Sequence, residues 1–478
     1  MMKAVFSPYL NEIAPALKEV VSLLEKDFDY VSILSTDSAG FRVSASQRME
    51  NVEHNTLTTE RGSVIRVCRN GLYSEYSFNE FDPQHPETTA DDARAVLNEQ
   101  LAMLEETNSS VYRTGLPEDK PCTLFMEMDT TDLPEETDLG QLVRKARALS
   151  DEGMARKEGL IDIMLSLQST HISKCFFTKH RDMRQSYVYS EGMMAAIAMQ
   201  DGKTHLSYVP VSGQDGPQIF EALHGKLDEL LKQTDDLLGS SEITPGTYDI
   251  ITTPEITGLI AHEAFGHGVE MDMFVKNRAL GRSYIGKRVG SDLVTMHEGA
   301  LSYRQVASYA FDDEGNPAQD TIEIKNGILM TGVCDELSAL RLGVKPTGNG
   351  RRQNYEHKAY ARMTNTLFEA GSSSVDDMIA SIKYGYLLDG MQSGMEDPKH
   401  WGIQCIVSRG YEIKDGKLTG KVVSPIVMTG YVPDLLGSIS MISKDSALAG
   451  NGYCGKGYKE FVKVSDGGPY MKAKAVLG

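Results

Sequence analysis

The chain has 478 residues, and its 48 Lys and Arg against 67 Asp and Glu give a net charge of −19. Hydrophobic residues make up 41% and charged residues 24%, which is typical of a globular protein and excludes disordered, collagen-like and coiled-coil chains. This length predicts two or three domains. The acidic balance without a basic patch argues against direct nucleic-acid binding, because that affinity rests on clustered Lys and Arg.

The first half of the chain alternates between helical and strand patterns. Apolar residues at helical spacing predict helices, which we place at residues 9–27, 90–105, 139–157 and 217–238. Alternating apolar and polar residues predict strands, which we place at residues 31–34, 41–43, 63–67, 73–76, 161–167, 171–178, 185–189, 195–199 and 206–211. The Asn70-Gly71 and Asp201-Gly202 pairs predict hairpin turns. Residues 107–138, rich in Asp, Glu, Thr and Pro, are interpreted as a surface excursion.

Residues 239–246 read Gly-Ser-Ser-Glu-Ile-Thr-Pro-Gly and mark the expected domain boundary. We therefore predict an N-terminal α/β domain over residues 1–243 and a β-rich C-terminal domain over residues 244–478. Pro254 begins a helix in the second domain. The remaining signals are mostly those of strands, at residues 248–252, 322–325 and 328–330, with one further helix at residues 375–384. The predicted fold class is α+β, a sheet with flanking helices followed by a β-rich domain that carries the helix at Pro254.

Nothing in the sequence predicts a membrane segment or a secretory signal. No apolar run approaches the roughly 18 residues that cross a bilayer, and Asn11 and Glu12 interrupt the apolar residues near the N-terminus. The six cysteines are scattered without a Cys-x-x-Cys pair. We therefore expect reduced thiols in a cytoplasmic protein without membrane association.

One motif carries the strongest chemical signal, because residues 262–267 read His-Glu-Ala-Phe-Gly-His. It is one residue longer than the His-Glu-x-x-His motif of zinc proteases. Side chains five residues apart point about 140° apart on an α-helix, whereas a π-type turn of about 4.4 residues brings them within about 50°. Gly266 and Gly268 flank the second histidine and tolerate such a distortion. The motif thus favours a metal held by His262 and His267 over two ordinary histidines on a distorted helix.

Glu263 follows the first histidine and can take the proton of a metal-bound water. A catalytic zinc usually has a third protein ligand, and the candidates are Glu270, Asp272, His297, His357, His400 and the cysteines. Cys454 has the most favourable surroundings, because glycines bound its segment and Lys456 favours the thiolate. We expect one Zn²⁺ per chain, although this type of ligand set also suits iron.

The chain resembles the TldD family of metalloproteases, the TldD/PmbA group once described as modulators of DNA gyrase. Four segments carry the resemblance in family order: residues 261–267, 362–366, 454–456 and 464–470. The resemblance implies that the metal ligands are His262, His267 and Cys454. It also implies that Glu263 is the catalytic base. A local departure follows the cysteine, where residues 455–460 read Gly-Lys-Gly-Tyr-Lys-Glu in place of a more glutamine- and glycine-rich segment.

The resemblance also implies an assembly and a class of substrate. The PmbA-type partner, TldE, lacks the His-Glu-x-x-x-His motif, so this chain would be the catalytic subunit. The family pair forms a hollow heterodimer and degrades or trims unfolded peptides, including leaders of peptide antibiotics. The expected partners are therefore a peptide substrate and either a PmbA/TldE-like chain or a second copy of this one.

Four further residues are candidates for binding a peptide carbonyl or stabilising an oxyanion: Arg362, Asn365, His400 and Tyr453. Arg362 and Asn365 also have a structural interpretation as strand and turn residues. The resulting hypothesis is a zinc-dependent metallopeptidase that hydrolyses unfolded or extended peptides.

Three rival hypotheses remain open at this point. One is a catalytically silent peptide-binding or regulatory subunit with a structural metal. Another is a cysteine hydrolase with Cys454 as its nucleophile. The third, direct action on gyrase or DNA, is disfavoured by the charge of −19.

Overall fold

The structure is a computed structural model that describes residues 1–107, 112–200, 202–457 and 460–478. Within these ranges the chain builds two large β-sheets, one from each half of the sequence, with helices packed against them. The predicted α+β fold class is therefore confirmed.

The N-terminal half forms an eight-stranded sheet. Six strands lie side by side in the order Lys203–Gly213, Arg181–Gln200, Leu160–Phe177, Tyr30–Ala45, Arg61–Arg69 and Leu72–Phe78. The strand Glu50–Glu53 pairs with Tyr30–Ala45 in antiparallel orientation, and Cys122–Glu127 pairs with Arg181–Gln200 in parallel orientation.

Helices pack against this sheet and bury its apolar residues: Pro8–Leu24, Pro86–Glu106, Leu139–Arg156 and Leu227–Leu238, the last preceded by a 3-10 helix at Pro217–Lys226. Strand side chains alternate between the two faces of a sheet, and Ile33 and Phe41 lie in the cores formed with these helices. Leu34 points the other way and packs against Phe311 of the C-terminal half. The N-terminal sheet therefore lies between its own helices on one face and the C-terminal half of the chain on the other.

The C-terminal half forms an eleven-stranded sheet. Nine strands lie in the order Gly246–Thr252, Tyr384–Asp397, Gly402–Lys414, Ile426–Tyr431, Ser465–Leu477, Asn365–Phe368, Met296–Glu298, Thr321–Lys325 and Ile328–Leu329. Lys417–Val423 pairs with Gly402–Lys414, and Met441–Ala449 pairs with Ser465–Leu477. The first strand also pairs with Ser465–Leu477, so five of the strands close into a ring.

Shorter elements complete the described chain. Three two-stranded ladders pair Met2–Lys3 with Asp129–Thr130, Gly350–Arg351 with Tyr360–Ala361, and Tyr453–Lys456 with Glu460–Lys463. The remaining helical segments are Pro134–Glu136, Pro254–Leu259, Ile260–Phe265, Gly266–Val269, Met271–Val275, Leu280–Tyr284, Glu336–Leu342, Val375–Ala380 and Val432–Gly437. The C-terminal half thus contains more short helices than the sequence predicted.

Most of the predicted strands were correct in place but too short. The segments 31–34 and 41–43 belong to one strand, Tyr30–Ala45, and the segments 161–167 and 171–178 belong to Leu160–Phe177. Polar residues interrupt the apolar alternation in these strands, but they are buried and paired, as in the bond between Ser169 and Ser190. Hydrogen bonding between neighbouring strands, which a single strand's pattern does not reveal, keeps them extended.

Two turn and loop predictions have clear outcomes. Asn70 and Gly71 both have positive φ, 53° and 77°, so the predicted hairpin turn is confirmed. The interpretation of residues 107–138 as a surface excursion was wrong in part, because Cys122–Glu127 is a strand of the N-terminal sheet. In the other predicted turn, Asp201 lies outside the described residues.

The domain boundary between residues 243 and 244 stays a prediction. Every strand of the N-terminal sheet ends by Gly213, and every strand of the C-terminal sheet begins at or after Gly246. None of the helices in the described part of the chain has the length and apolar character that a membrane crossing needs.

Candidate metal centre

The histidine motif lies where one helix changes its pitch. Pro254–Leu259 is α-helical, Ile260–Phe265 is a π-helix, and Gly266–Val269 is a 3-10 turn. Pro254 occupies the first helical turn, where its missing N–H leaves no hydrogen bond unmade. The π-type turn that the spacing predicted is therefore confirmed.

Close packing explains the two glycines beside the second histidine. A Cβ atom on Gly266 would overlap Met363 Sδ, and one on Gly268 would overlap Glu396 Oε1 and lie 2.7 Å from Trp401 Nε1. Glycine is therefore the residue that lets the helix approach these neighbours.

The π-helix directs His262 and His267 toward each other and toward Cys454. One nitrogen or sulfur atom from each of the three lies within 4.8 Å of the others, and Cys454 Sγ is 3.6 Å from His267 Nε2. The two imidazole centres are 5.2 Å apart, and the rings are nearly perpendicular. His262 is 3% exposed and Cys454 is 2% exposed. The structure thus brings the three predicted ligands together in a site shielded from solvent.

The three side chains change one another's pKa values. Burial raises the pKa of the Cys454 thiol, but the two imidazoles lower it by more, to well below its ordinary value. Burial lowers the pKa of His262, but the Cys454 thiolate raises it by more, to about 9. For His267 burial again lowers the pKa, and Glu270 together with Cys454 raises it well above its ordinary value. The lowered pKa of Cys454 favours the thiolate, the form that binds metal ions.

This donor set fits a zinc ion. Zinc takes His and Cys ligands, and a catalytic site combines three protein ligands with one open position. His267 directs Nε2 toward Cys454 and Nδ1 toward Glu270 Oε2, 3.2 Å away. A carboxylate behind the ring is the usual arrangement of a metal-binding histidine.

Glu263 lies beside the same group of atoms. Its carboxylate oxygens are 4.0 Å from His262 Nε2 and 3.8 Å from His267 Nε2. A Cβ atom on Gly394 would come within 2.7 Å of Glu263 Cβ, so the strand Tyr384–Asp397 passes directly against the helix at this point. The carboxylate therefore faces the space between the histidines.

The strand Tyr453–Lys456 carries Cys454 and forms a hairpin with Glu460–Lys463. Arg362 donates to the backbone carbonyls of Cys454 and Glu460. Tyr453 Oη donates to Glu191 Oε1 at 2.9 Å and accepts from Gln168 Nε2 at 3.1 Å. Both partners of Tyr453 belong to the N-terminal sheet, so contacts from each half of the chain fix the position of the cysteine.

The other candidates for a third ligand have different partners. His297 Nδ1 contacts Asp320, His357 Nδ1 contacts Asn354, and His400 Nδ1 contacts Asp397. Asp272 is paired with lysines rather than directed at the histidines. Glu270 contacts Nδ1 of His267, the ring nitrogen that does not face Cys454.

The four residues expected to bind substrate lie in different surroundings. Arg362 is 1% exposed and holds the cysteine hairpin, and Asn365 is fully buried and donates to the carbonyls of Gly299, Ala300 and Tyr303. The His400 side chain is 71% exposed. Arg362 and Asn365 thus bond to neighbouring backbone, and Tyr453 bonds to side chains of the N-terminal sheet. The substrate-binding role stays a prediction for all four.

Sequence reasoning missed the residues that support the ligands. Lys456 was expected to favour the thiolate, but its ammonium pairs with Glu270 and Asp272, and the imidazoles are the main cause of the lowered thiol pKa. Lys456 and Glu270 are 186 positions apart. No local pattern joins residues at such a separation, so this contact was not visible in the sequence.

The fold and this site together form a candidate metal centre, in which a distorted His-Glu-x-x-x-His helix meets a distant cysteine. Residues 245–477 match the PmbA/TldA metallopeptidase C-terminal domain. Residues 245–477 therefore form the C-terminal domain of this metallopeptidase family, as the TldD/PmbA motifs indicated.

Curated relatives and solved structures agree with this assignment. A metalloprotease TldD homolog from Buchnera aphidicola is 37% identical over 49% of this chain, and the match spans 48% of that relative, about half its length. A metalloprotease from Synechocystis is 26% identical over 98% of both chains. A zinc metalloprotease TldD homolog from Saccharolobus solfataricus is 32% identical over 60% of this chain and 64% of its own.

Two solved structures share the fold of the whole chain. TldE from Thermococcus kodakarensis superimposes with a TM-score of 0.75 at 16% identity, covering 97% of this chain and 99% of that one. A proposed modulator of DNA gyrase from Bacteroides thetaiotaomicron gives a TM-score of 0.75 at 15% identity, covering 99% of this chain and 100% of that one.

Proposed function

We propose that this protein is a zinc-dependent metallopeptidase that hydrolyses unfolded or extended peptides. The observation that carries the proposal is the meeting of two imidazoles, a thiolate and the Glu263 carboxylate in one shielded space. Relatives named metalloprotease, one of them a zinc metalloprotease, support the same reaction class.

His262, His267 and Cys454 would hold the zinc ion. A zinc ion in such a site polarises a carbonyl group and lowers the pKa of bound water to about 7. The thiolate form of Cys454 and the carboxylate behind His267 both favour metal binding.

Glu263 would act as the general base and then as the general acid. Its carboxylate accepts a proton from the attacking water and returns that proton to the leaving amine nitrogen when the peptide bond breaks. The carboxylate lies at the edge of the site, with its oxygens 4.0 Å and 3.8 Å from the Nε2 atoms of His262 and His267, where it would face the water and the substrate.

An extended peptide would bind along a strand edge beside Glu263. The strand Tyr384–Asp397 pairs with Gly402–Lys414 over its whole length. On its other edge, the strand pairing among the described residues is confined to residues 385–388, which pair with residues 249–252. The remaining edge offers main-chain hydrogen bonds, which bind extended chains with little dependence on their sequence. We further propose that the chain works with a TldE-like partner or a second copy of itself.

The test replaces Glu263 with Ala, with Gln as the isosteric variant. Both proteins should bind one equivalent of zinc, and their turnover of an unfolded peptide should fall at least 100-fold, because the proton acceptor is gone. Peptide hydrolysis measured beside elemental analysis decides the outcome. Retained turnover would defeat the role of Glu263.

The rival functions give different results in the same assays. A wild-type protein that holds zinc but cleaves no unfolded peptide, alone or with a TldE-like chain, would be the silent binding subunit. Hydrolysis that survives a chelator but not thiol alkylation would identify a cysteine hydrolase.

A further inference from the structure

Lys456 lies between the two segments that carry the proposed metal ligands. Its Nζ is 3.0 Å from Glu270 Oε2, 2.8 Å from Asp272 Oδ1 and 2.8 Å from the carbonyl oxygen of Ala361. The lysine belongs to the cysteine hairpin, whereas Glu270 and Asp272 follow the histidine helix. Its side chain is 13% exposed. An ammonium with three fixed acceptors in a shielded position restrains geometry more strongly than a solvated surface charge does.

Glu270 connects Lys456 to the metal-ligand candidate His267. Its Oε2 contacts both Lys456 Nζ and His267 Nδ1, and the Glu270 side chain is 3% exposed. A carboxylate on one imidazole nitrogen fixes the ring orientation and leaves the other nitrogen for the metal. His262 differs, because its Nδ1 is buried and has no hydrogen-bond partner in the part of the chain that the structure describes.

We propose that Lys456 is a positioning residue for metal binding. Through Glu270 and Asp272 it holds the cysteine hairpin against the end of the histidine helix, so that Cys454 Sγ and His267 Nε2 face the same ion. This inference rests on the metal ligands of the proposed function and goes beyond it, because it assigns part of the zinc affinity to an ion pair between two segments.

The test measures the zinc dissociation constant of the full chain by competition with a chromophoric chelator, without any peptide. Lys456→Met and Glu270→Gln should each raise that constant about 10-fold, the lower end of what loss of such a supporting contact costs. An unchanged constant in both variants would overturn the proposal.

Lys276→Met is the matched control. Lys276 Nζ lies 3.1 Å from Asp272 Oδ2 and over the ring of Tyr360, and Lys456 also contacts both residues. Among the described residues, however, Lys276 forms no ion pair with Glu270. The control should keep its zinc constant within about twofold of wild type, since partly exposed ion pairs contribute little. An equal loss in the control would show a general charge effect and overturn the proposal.

The double variant Lys456→Met/Glu270→Gln separates positioning from independent damage. If Lys456 acts through Glu270, the double variant should bind zinc about as weakly as the weaker single variant, because coupled residues do not add. A loss equal to the product of the two single losses would contradict this route.

Circular dichroism of the zinc-free proteins checks that each variant is folded. If Lys456→Met does not fold, Glu270→Gln decides the matter by the same 10-fold criterion. The absorption spectrum of the Co²⁺-loaded protein gives a second readout, because a displaced thiolate weakens the sulfur-to-cobalt band. All these measurements concern metal affinity, so a protein that binds zinc but cleaves no peptide would defeat the proposed function and leave this inference standing.

Discussion

Two regions supply the metal-binding atoms, and they are built in opposite ways. The histidines lie on one continuous helical segment, residues 254–269, whose distortion is a property of adjacent residues. The cysteine lies on a short hairpin held by contacts with residues far away in the sequence, including Arg362 and Glu191. One part of the site is therefore set by local chain geometry and the other by tertiary packing.

We therefore expect mutations in the histidine helix and in the cysteine hairpin to have different effects. A change that disturbs the histidine helix should lower the stability of the whole C-terminal half, because the helix packs against the strand ring. A change that loosens the cysteine hairpin should lower metal affinity with a smaller loss of stability, because the hairpin packs into a small apolar cluster of Met363, Cys454, Val462 and Val464, whereas the helix packs into a much larger core.

The largest expected effect is on the helix. Gly258→Ala would place a Cβ atom 2.6 Å from the backbone nitrogen of Gly467, on the strand Ser465–Leu477 that closes the ring. Backbone cannot move aside as a side chain can, so we expect the free energy of unfolding to fall by about 3 kcal/mol. Urea denaturation measures the change.

Gly437→Ala is the control for that measurement. Gly437 ends another short helix, and a Cβ atom there meets nothing within 4 Å. The free energy of unfolding of Gly437→Ala should stay within about 1 kcal/mol of wild type, or rise slightly, because alanine favours helix more than glycine does. If both variants lost stability equally, the close approach at Gly258 would not be the cause.

A smaller effect is expected from the buried cation that supports the hairpin. Arg362→Met keeps much of the apolar volume but leaves the carbonyls of Cys454 and Glu460 without their donor. We expect a loss of about 2 kcal/mol in unfolding free energy, from the unmade hydrogen bonds, together with weaker zinc binding. Chelator competition and urea denaturation on one sample compare the two losses, and unaltered zinc binding would argue against tertiary control of the cysteine.

The smallest effect is expected where the hairpin meets the N-terminal sheet. Tyr453→Phe removes the hydroxyl that bonds to Glu191 and Gln168. Loss of these bonds should cost about 1 kcal/mol. Tyr411→Phe is the control, since its hydroxyl bonds to Arg409 and Asp236 away from the hairpin. Zinc affinity should fall in Tyr453→Phe and not in Tyr411→Phe. A loss in Tyr411→Phe alone would contradict the role of distant contacts in holding the hairpin.

The same contrast explains what could be predicted from the sequence. The His-Glu-x-x-x-His spacing and its flanking glycines predicted the π-helix, because helix geometry depends on neighbours along the chain. Cys454 was selected by its surroundings and by family resemblance, and the structure places it beside the histidines. Lys456, Glu270 and Glu191 were not found as supporting residues, because the Lys456–Glu270 and Tyr453–Glu191 contacts join residues more than 180 positions apart.

The fold was likewise predicted well where structure depends on neighbouring residues and poorly where it depends on distant ones. Helices with a clear apolar spacing, such as Pro8–Leu24 and Leu139–Arg156, begin and end within about three residues of their predicted limits. Long strands were divided where buried serines and threonines interrupt the pattern, as in Leu160–Phe177. Strand order and the closure of the C-terminal ring depend on pairing between distant segments, which composition and periodicity do not encode.

The zinc K-edge X-ray absorption spectrum of the zinc-loaded protein tests most directly whether His262, His267 and Cys454 bind one zinc ion. We expect one sulfur at about 2.3 Å and two imidazole nitrogens at about 2.0 Å, with the sulfur lost in Cys454→Ser. A spectrum without sulfur in the wild-type protein, or one unchanged in Cys454→Ser, would contradict the convergence of the helix and the hairpin on one ion.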